Sequence, residues 1–306
     1  MANDHPGRKR VDEATGTRTV GHAWDGIEEL DTPMPRWWLL TLYATIVVGL
    51  VLLVLYPAIP LVHQATSGAL GWSSRGQLAQ EMAKAEEGKA PLRQALAATP
   101  MERLPEDSEL LRAAVAGGRA AYLVNCVQCH GAGAAGSKGY PNLNDDSWLW
   151  GGDLKAIEYT LVHGIRQPGH DETRTSLMPA FGEILSSQEV AAVADHVLSL
   201  GGKGRGSAAG AKLYADNCAA CHGPQGTGSR ELGAPNLADA IWLYGGSRDE
   251  VIRQVAEPRH GVMPAWGGRL DPVTIKMLAA YVHSLGGGED FVEVAQDPAV
   301  EVDEQP

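Results

Sequence analysis

The sequence predicts a mainly α-helical protein, with one transmembrane helix ahead of two tandem copies of a small helical domain. Three observations carry this expectation. A charge-free run extends from Trp37 to His63. A block of about 90 residues is written twice downstream of it. Both copies hold the same five-residue frame, Cys126-Val127-Gln128-Cys129-His130 and Cys218-Ala219-Ala220-Cys221-His222, which together use all four cysteines. A period this long is outside the range of solenoid repeats. The 306 residues are 44% apolar, enough for two small cores plus additional segments.

The apolar run is the first element. Leu39 to Tyr56 is 18 residues, which at helical rise spans about 27 Å, close to the hydrocarbon thickness of a bilayer. Trp37, Trp38 and Tyr56 flank it, where amphipathic rings favour the headgroup region. Pro57 and Pro60 stop the helix. A cleaved signal peptide is the alternative, but the 36 residues ahead of the run and the length of the run itself both exceed that pattern. Arg8, Lys9, Arg10, Arg18 and Arg36 precede the span and only Arg75 closely follows it, which favours a cytoplasmic amino terminus. The expected boundaries are 1–36 cytoplasmic, 37–62 transmembrane and 63–107 a periplasmic linker with a helix over 77–98. Two domains at 108–203 and 204–288 and a disordered acidic tail at 289–306 complete them.

Each domain is expected to open and close with a helix. Glu109 to Asn125 is rich in Ala and Leu behind Ser108 as N-cap, and it delivers the first cysteine frame at its carboxyl end. Ser186 with Glu189 forms a capping box ahead of the closing helix, which stops at Gly201. In the second copy Asp271 is the N-cap, Pro272 takes the first helical position, and Gly286 follows the end. The segments between are read as Gly- and Pro-rich loops, with 201–209 as the linker.

C-x-x-C-H is the attachment sequence of a c-type haem. Two thiols form thioethers to one porphyrin, and the adjacent His supplies an axial nitrogen to the iron. Two covalently bound haem c groups are therefore expected, on Cys126 and Cys129 and on Cys218 and Cys221, with His130 and His222 as proximal ligands. A tetrahedral zinc site and a thioredoxin-like dithiol are the alternatives, and neither accounts for the landmarks that recur downstream. Those landmarks are Tyr122/Tyr214, Pro141-Asn142-Leu143/Pro235-Asn236-Leu237, Trp148/Trp242, His163-Gly164/His260-Gly261 and Met178-Pro179-Ala180/Met263-Pro264-Ala265.

The arrangement resembles class I cytochromes c, which implies two tandem cytochrome c-like domains. It also implies that Met178 and Met263 supply the sixth iron ligands, and that the Pro141 and Pro235 carbonyls fix the proximal imidazoles. His163 and His260 also recur and are the rival axial ligands; bis-His ligation gives a lower potential than Met/His. His5, His22, His63, His170, His196 and His283 lack a repeat partner of the same type and read as surface or local structural groups. Which Met serves which haem is left open by the sequence. The copies differ most between the His-Gly pair and the Met: Gly164 to Met178 is fourteen positions, Gly261 to Met263 two. The extra stretch, 166–177, is polar and reads equally as a packed segment or a solvated loop.

The amino-terminal segment narrows the family. Trp24-Asp25-Gly26-Ile27-Glu28-Glu29-Leu30, Pro33-Met34-Pro35-Arg36-Trp37-Trp38, Tyr56-Pro57 and Gly71-Trp72-Ser73-Ser74 resemble the di-haem subunit III of cbb3-type cytochrome c oxidases. The Leu/Val-rich interior of the span and the acidic tail fall outside that match. The resemblance implies electron transfer from a soluble periplasmic cytochrome c towards a catalytic haem–copper subunit and a mono-haem c subunit, in a bacterial inner membrane, with no catalytic site in this chain. A membrane-anchored di-haem carrier or dehydrogenase cytochrome subunit is the alternative, and a di-haem peroxidase a further one, disfavoured by two equivalent Met-Pro loops. The net charge of −12 suits a basic protein donor, membrane lipid is expected around the apolar span, and no nucleic-acid partner is expected. Seven acidic residues and no Lys or Arg lie in 289–306.

A domain of about 90 residues buries only about 60% of its unfolded surface, so its core is marginal without the haem plate. Cys→Ala changes in either motif are therefore expected to leave that domain unfolded. Circular dichroism checks this, and a native-like spectrum of a haem-free domain would contradict it.

Overall fold

The computed structural model describes residues 9–291. The chain divides into two compact units, 1–88 and 89–306. In the first unit, strands β1 (Thr19–Trp24) and β2 (Ile27–Leu30) pair antiparallel. The turn between them is Asp25-Gly26, both at positive φ (51° and 80°). That Asp-Gly turn matches strand twist and is a strong hairpin signal. The sequence reading assigned no secondary structure to this segment, so the hairpin is an addition. Helix α1 (Arg36–Leu55) follows, with mean hydropathy 2.5 over its apolar window and none of that window buried within the protein. It is long and apolar enough to cross a membrane. It ends ahead of Pro57, so residues 56–62 are not part of the helix as the 37–62 boundary implied. The chain then folds back: Ala69 N donates to Val54 O and Leu70 N to Leu55 O.

Helix α2 (Ser74–Ala98) runs through the unit boundary. Its carboxyl end belongs to the core of the second unit, with Leu96 fully buried. Lys276 Nζ donates to Leu96 O at 2.8 Å and to Thr99 O at 2.6 Å. This end is therefore a packed part of the second unit, where a helix of a periplasmic linker had been expected.

The second unit contains α3 (Ser108–Asn125), α4 (Val127–His130), α5 (Leu154–His163), α6 (Ser187–Leu200), α7 (Ala208–Asn217), α8 (Ala219–His222), α9 (Arg248–Ala256) and α10 (Pro272–His283). Asp107, not Ser108, caps α3; its carboxylate accepts from Glu109 N and Leu110 N. The Ser186–Glu189 capping box and the Asp271 cap with Pro272 stand as expected. Helices α5 and α9 replace part of the expected loops. Both carry start signals: Asp153 accepts from Lys155 N and Ala156 N, and Glu250 Oε2 accepts from Ser247 N at 3.1 Å.

Packing of these helices departs from the order of the sequence. Helix α10 packs on α3 and α5, while α6 packs on α7 and α9. One core gathers Leu110, Ala114, Tyr122, Leu154, Ile157 and Leu161 of the first repeat with Ile275, Leu278 and Tyr281 of the second. The other gathers Phe181, Val190, Val193 and Val197 of the first repeat with Tyr214, Val251 and Val255 of the second. Each fully buried Leu, Ile or Val contributes about 1.5–3 kcal/mol. The stretches 108–203 and 204–288 are thus the sequence repeats, and the packed cores are assembled across them by exchange of the closing helices.

The crossings repeat in detail. A Cβ at Gly118 would overlap the Met277 carbonyl of α10, and one at Gly210 would overlap the Ala192 carbonyl of α6. Gly118 and Gly210 each lie four residues before the recurring tyrosine. One turn on, Tyr122 meets Tyr281 and Tyr214 meets His196, with ring centroids 5.2 and 5.1 Å apart.

Gly118→Ala and Gly210→Ala should each destabilise the haem-loaded protein by about 1–3 kcal/mol, because a backbone carbonyl cannot give way. Gly88→Ala, where an added Cβ meets nothing, should be neutral or stabilising. Thermal unfolding followed at the haem absorption compares the three.

Candidate haem centres

Helix α3 delivers Cys126 as its C-cap, and α4 then carries Cys129 and His130 on a single turn; α7 and α8 do the same for Cys218, Cys221 and His222. The positive-φ Gly131 (78°) and Gly223 (77°) end those turns and send the chain back over the site. The recurring tyrosines hold the reversal, Tyr122 Oη donating to Gly131 O and Tyr214 Oη to Gly223 O, each at 2.7 Å. Burial pushes the pKa of both tyrosines up to about 12.

The Nδ1 of His130 lies 3.1 Å from Pro141 O, and the Nδ1 of His222 lies 3.0 Å from Pro235 O. A proton on Nδ1 satisfies each carbonyl and leaves the Nε2 lone pair for a metal. Burial pushes both imidazole pKa values below the ordinary histidine value, against the carbonyl bond that raises them. Both shifts favour the neutral ring, the form in which histidine binds a metal. The Cys126 and Cys218 thiols are pushed up to about 11, first by burial and then by Cys129 and Cys221.

Met263 and Cys126 both pack against the core that contains Tyr122, and Met178 packs against the core that contains Tyr214 and Cys218. The methionine that shares a core with each cysteine frame thus comes from the other repeat. Ile165 fixes this exchange by pairing both ways with Met263, N to O at 2.9 Å and O to N at 3.0 Å. Trp266 N and Gly267 N bond the Leu161 and Val162 carbonyls at the end of α5. Gly164, at φ 69°, lies so close to the Met263–Ala265 backbone that no Cβ fits there.

The rival axial histidines have other contacts. His163 Nδ1 lies 3.0 Å from His170 Nε2 and 3.5 Å from the Glu172 carboxylate. His260 Nε2 lies 3.2 Å from Met178 O. His196 stacks on Tyr214, and His283 Nε2 lies 2.9 Å from Glu289 O.

Among the described residues, three buried side-chain donors lack a partner: Trp150 Nε1, Arg174 Nε and Trp242 Nε1. The Arg174 guanidinium lies 5.2 Å from the Trp150 ring centroid and 4.8 Å from that of Tyr159. All three atoms are donors, which suits the anionic propionates of a porphyrin. The residues present therefore fit two haem c groups. The recurring Trp148/Trp242 pair was visible as a landmark, but the donor role of Trp150 and Arg174 appears only in three dimensions. Glu289 is fixed as well: its carboxylate accepts from Gly152 N at 2.7 Å and pairs with Arg230, so the expected tail does not begin at 289. Residues 292–306 lie outside the described residues.

Comparison with known proteins gives the lineage. Residues 16–63 match the N-terminal domain of cytochrome oxidase-cbb3, FixP; residues 115–201 match cytochrome c; residues 206–282 match cytochrome C oxidase, cbb3-type, subunit III. The chain is 51% identical over 283 residues to the cbb3-type cytochrome c oxidase subunit FixPc of Rhizobium leguminosarum bv. viciae, covering 92% of this chain and 99% of that one. It belongs to the FixP/CcoP family of cbb3-type oxidase subunits. The subunit CcoP of Cereibacter sphaeroides is also 51% identical, over 89% of this chain and 95% of its own length. FixP of Azorhizobium caulinodans is 50% identical over 91% and 96%. Membership makes the chain a membrane-anchored electron-transfer subunit of an oxidoreductase complex, with two covalent haem c groups as cofactors.

The two sites are also tied by charge. Lys138, on the loop after the first cysteine frame, pairs with Glu250 at the start of α9, which also accepts from Ser247 Oγ at 2.6 Å. Lys138 first, then Ser247, hold the Glu250 pKa down to about 2 from 4.5. A depressed carboxylate stabilises fully above its unfolded value and loses that contribution as pH falls through the folded one. The stability difference between the wild type and Lys138→Met should therefore be constant above pH 5 and shrink between about pH 4.5 and 2. Denaturant unfolding across that range measures it.

Proposed function

We propose that the two centres are each ligated by His and Met across the repeats, His130 with Met263 and His222 with Met178. His163 and His260 are then not axial: the first faces His170 and the second the Met178 carbonyl. Bound at these sites, a haem supplies a one-electron carrier, and thioether ligation sets its potential above that of a bis-His centre. The residues of this chain do the rest. Cys126, Cys129, Cys218 and Cys221 fasten the porphyrins, the Pro141 and Pro235 carbonyls orient the proximal rings, and Trp150, Arg174 and Trp242 offer donors to the propionates.

On this reading the chain itself performs no oxygen chemistry. It accepts electrons from a soluble periplasmic cytochrome c and passes them to the mono-haem c and catalytic haem–copper subunits. Its amino terminus lies in the cytoplasm of a bacterial cell and its haem-bearing unit in the periplasm, with α1 in the inner membrane. The observation that carries the reading is that Met263 and Cys126 pack against one core, while Met178 packs against the other core, which contains Cys218. Two equivalent methionine loops leave neither centre with the open distal position that a peroxidase requires.

Affinity purification of the full chain from membranes tests the function. It should recover a haem–copper subunit together with cytochrome c oxidase activity that falls as salt rises. Recovery of the di-haem chain alone, with oxidase activity elsewhere in the membrane, would contradict the proposal. Met178→Ala and Met263→Ala should each remove one of two His/Met signals in the magnetic resonance spectrum, and slow electron delivery to oxygen.

A further inference from the structure

The segment present in the first repeat alone places a cation between the two methionine loops. Arg166 Nε donates to Gly261 O at 2.6 Å, and Gly261 is two residues before Met263. The Nη1 of the same guanidinium donates to Ser176 O at 3.2 Å, and Ser176 is two residues before Met178. One planar fork therefore grips the backbone leading into both methionines. The backbone is committed to this position too. Arg166 N donates to Arg174 O at 2.8 Å, and the adjacent Ile165 pairs with Met263. Arg166 itself sits at φ 54°, a left-handed conformation that a long side chain rarely adopts.

We propose that Arg166 is a shared positioning residue for both haem centres: it holds the two axial-methionine loops in register and places one fixed positive charge near both irons. This rests on the reading of Met178 and Met263 as axial ligands. Among the described residues no carboxylate lies within ion-pair distance of Arg166, so its charge is not neutralised by a local partner. Arg166 is half-buried, and burial pushes its pKa down from 12.5, yet a guanidinium remains charged at any physiological pH. An uncompensated cation favours the reduced, less positive state of a nearby iron, and screening by water is weaker in a partly buried site. Its two carbonyl bonds require a fork; an ammonium at the same place is a single point donor. The same residue thus acts on ligand geometry through its shape and on potential through its charge.

The test uses the full, haem-loaded chain in its purified complex, with redox titration resolving the two haems and the far-red absorption of the Met–iron bond as a second readout. Arg166→Gln should shift both haems towards the oxidised state, by about tenfold each, or about 59 mV for a one-electron couple. Arg166→Lys should keep both potentials closer to wild type while weakening the far-red band of both haems. Arg103→Gln, whose partner is Glu106 three residues away, should change neither. A shift confined to one haem, or to none, overturns the proposal. Should the Gln variant fail to assemble, the Lys variant decides: a change in the ligand band of only one haem, or of none, overturns it equally. A wild-type protein without a Met–iron band would instead remove the ligation reading itself.

Discussion

The backbone pairing of Ile165 with Met263 is the contact on which the arrangement of the haem-bearing unit depends. It sits where two segments cross, one carrying the first repeat towards Met178 and the other carrying the second towards Met263. Because they cross, α6 closes over α7 and α10 closes over α3. Neither repeat encloses its own cysteine frame. Under the proposed ligation each centre takes its cysteines and histidine from one repeat and its methionine from the other, and the closing helix over each cysteine frame comes from the other repeat as well. Exchange of the closing helices makes each core draw on both repeats, so the two repeats cannot fold independently.

Secondary contacts follow from that crossing. Gly164 has no room for a Cβ because the Met263–Ala265 backbone passes over it. Gly139 N bonds Leu243 O, Lys138 pairs with Glu250, and the Trp150 ring lies against Gly233, each joining the loop after one cysteine frame to the other repeat. The buried donors Trp150 and Arg174 are brought together by the same interleaving, since Arg174 lies in the crossing segment. Charge and packing therefore converge on one strip of chain, 164–178, which the second repeat compresses to a few residues.

Much of this was legible in the sequence. The cysteine frames, the span, the capping box at Ser186 and the cap at Asp271 are local signals, and local physics decides them. The hairpin at Asp25-Gly26 and the starts of α5 and α9 carried equally good signals that the sequence reading passed over. The exchange of helices was not legible, for a specific reason. Helices α3 and α7 are built alike, with a glycine one turn before a tyrosine, so either closing helix satisfies either partner by local pattern. The largest asymmetry between the repeats was the spacing from Gly to Met, fourteen positions against two. Length alone does not reveal where a segment goes; the carbonyls that Arg166 and Ile165 bond do.

The most direct measurement is a density map of the haem-loaded complex fine enough to trace residues 164–178 and 257–267. The account predicts the Met263 sulfur on the iron held by His130, and the Met178 sulfur on the iron held by His222. A map in which each methionine caps the haem of its own repeat would contradict it.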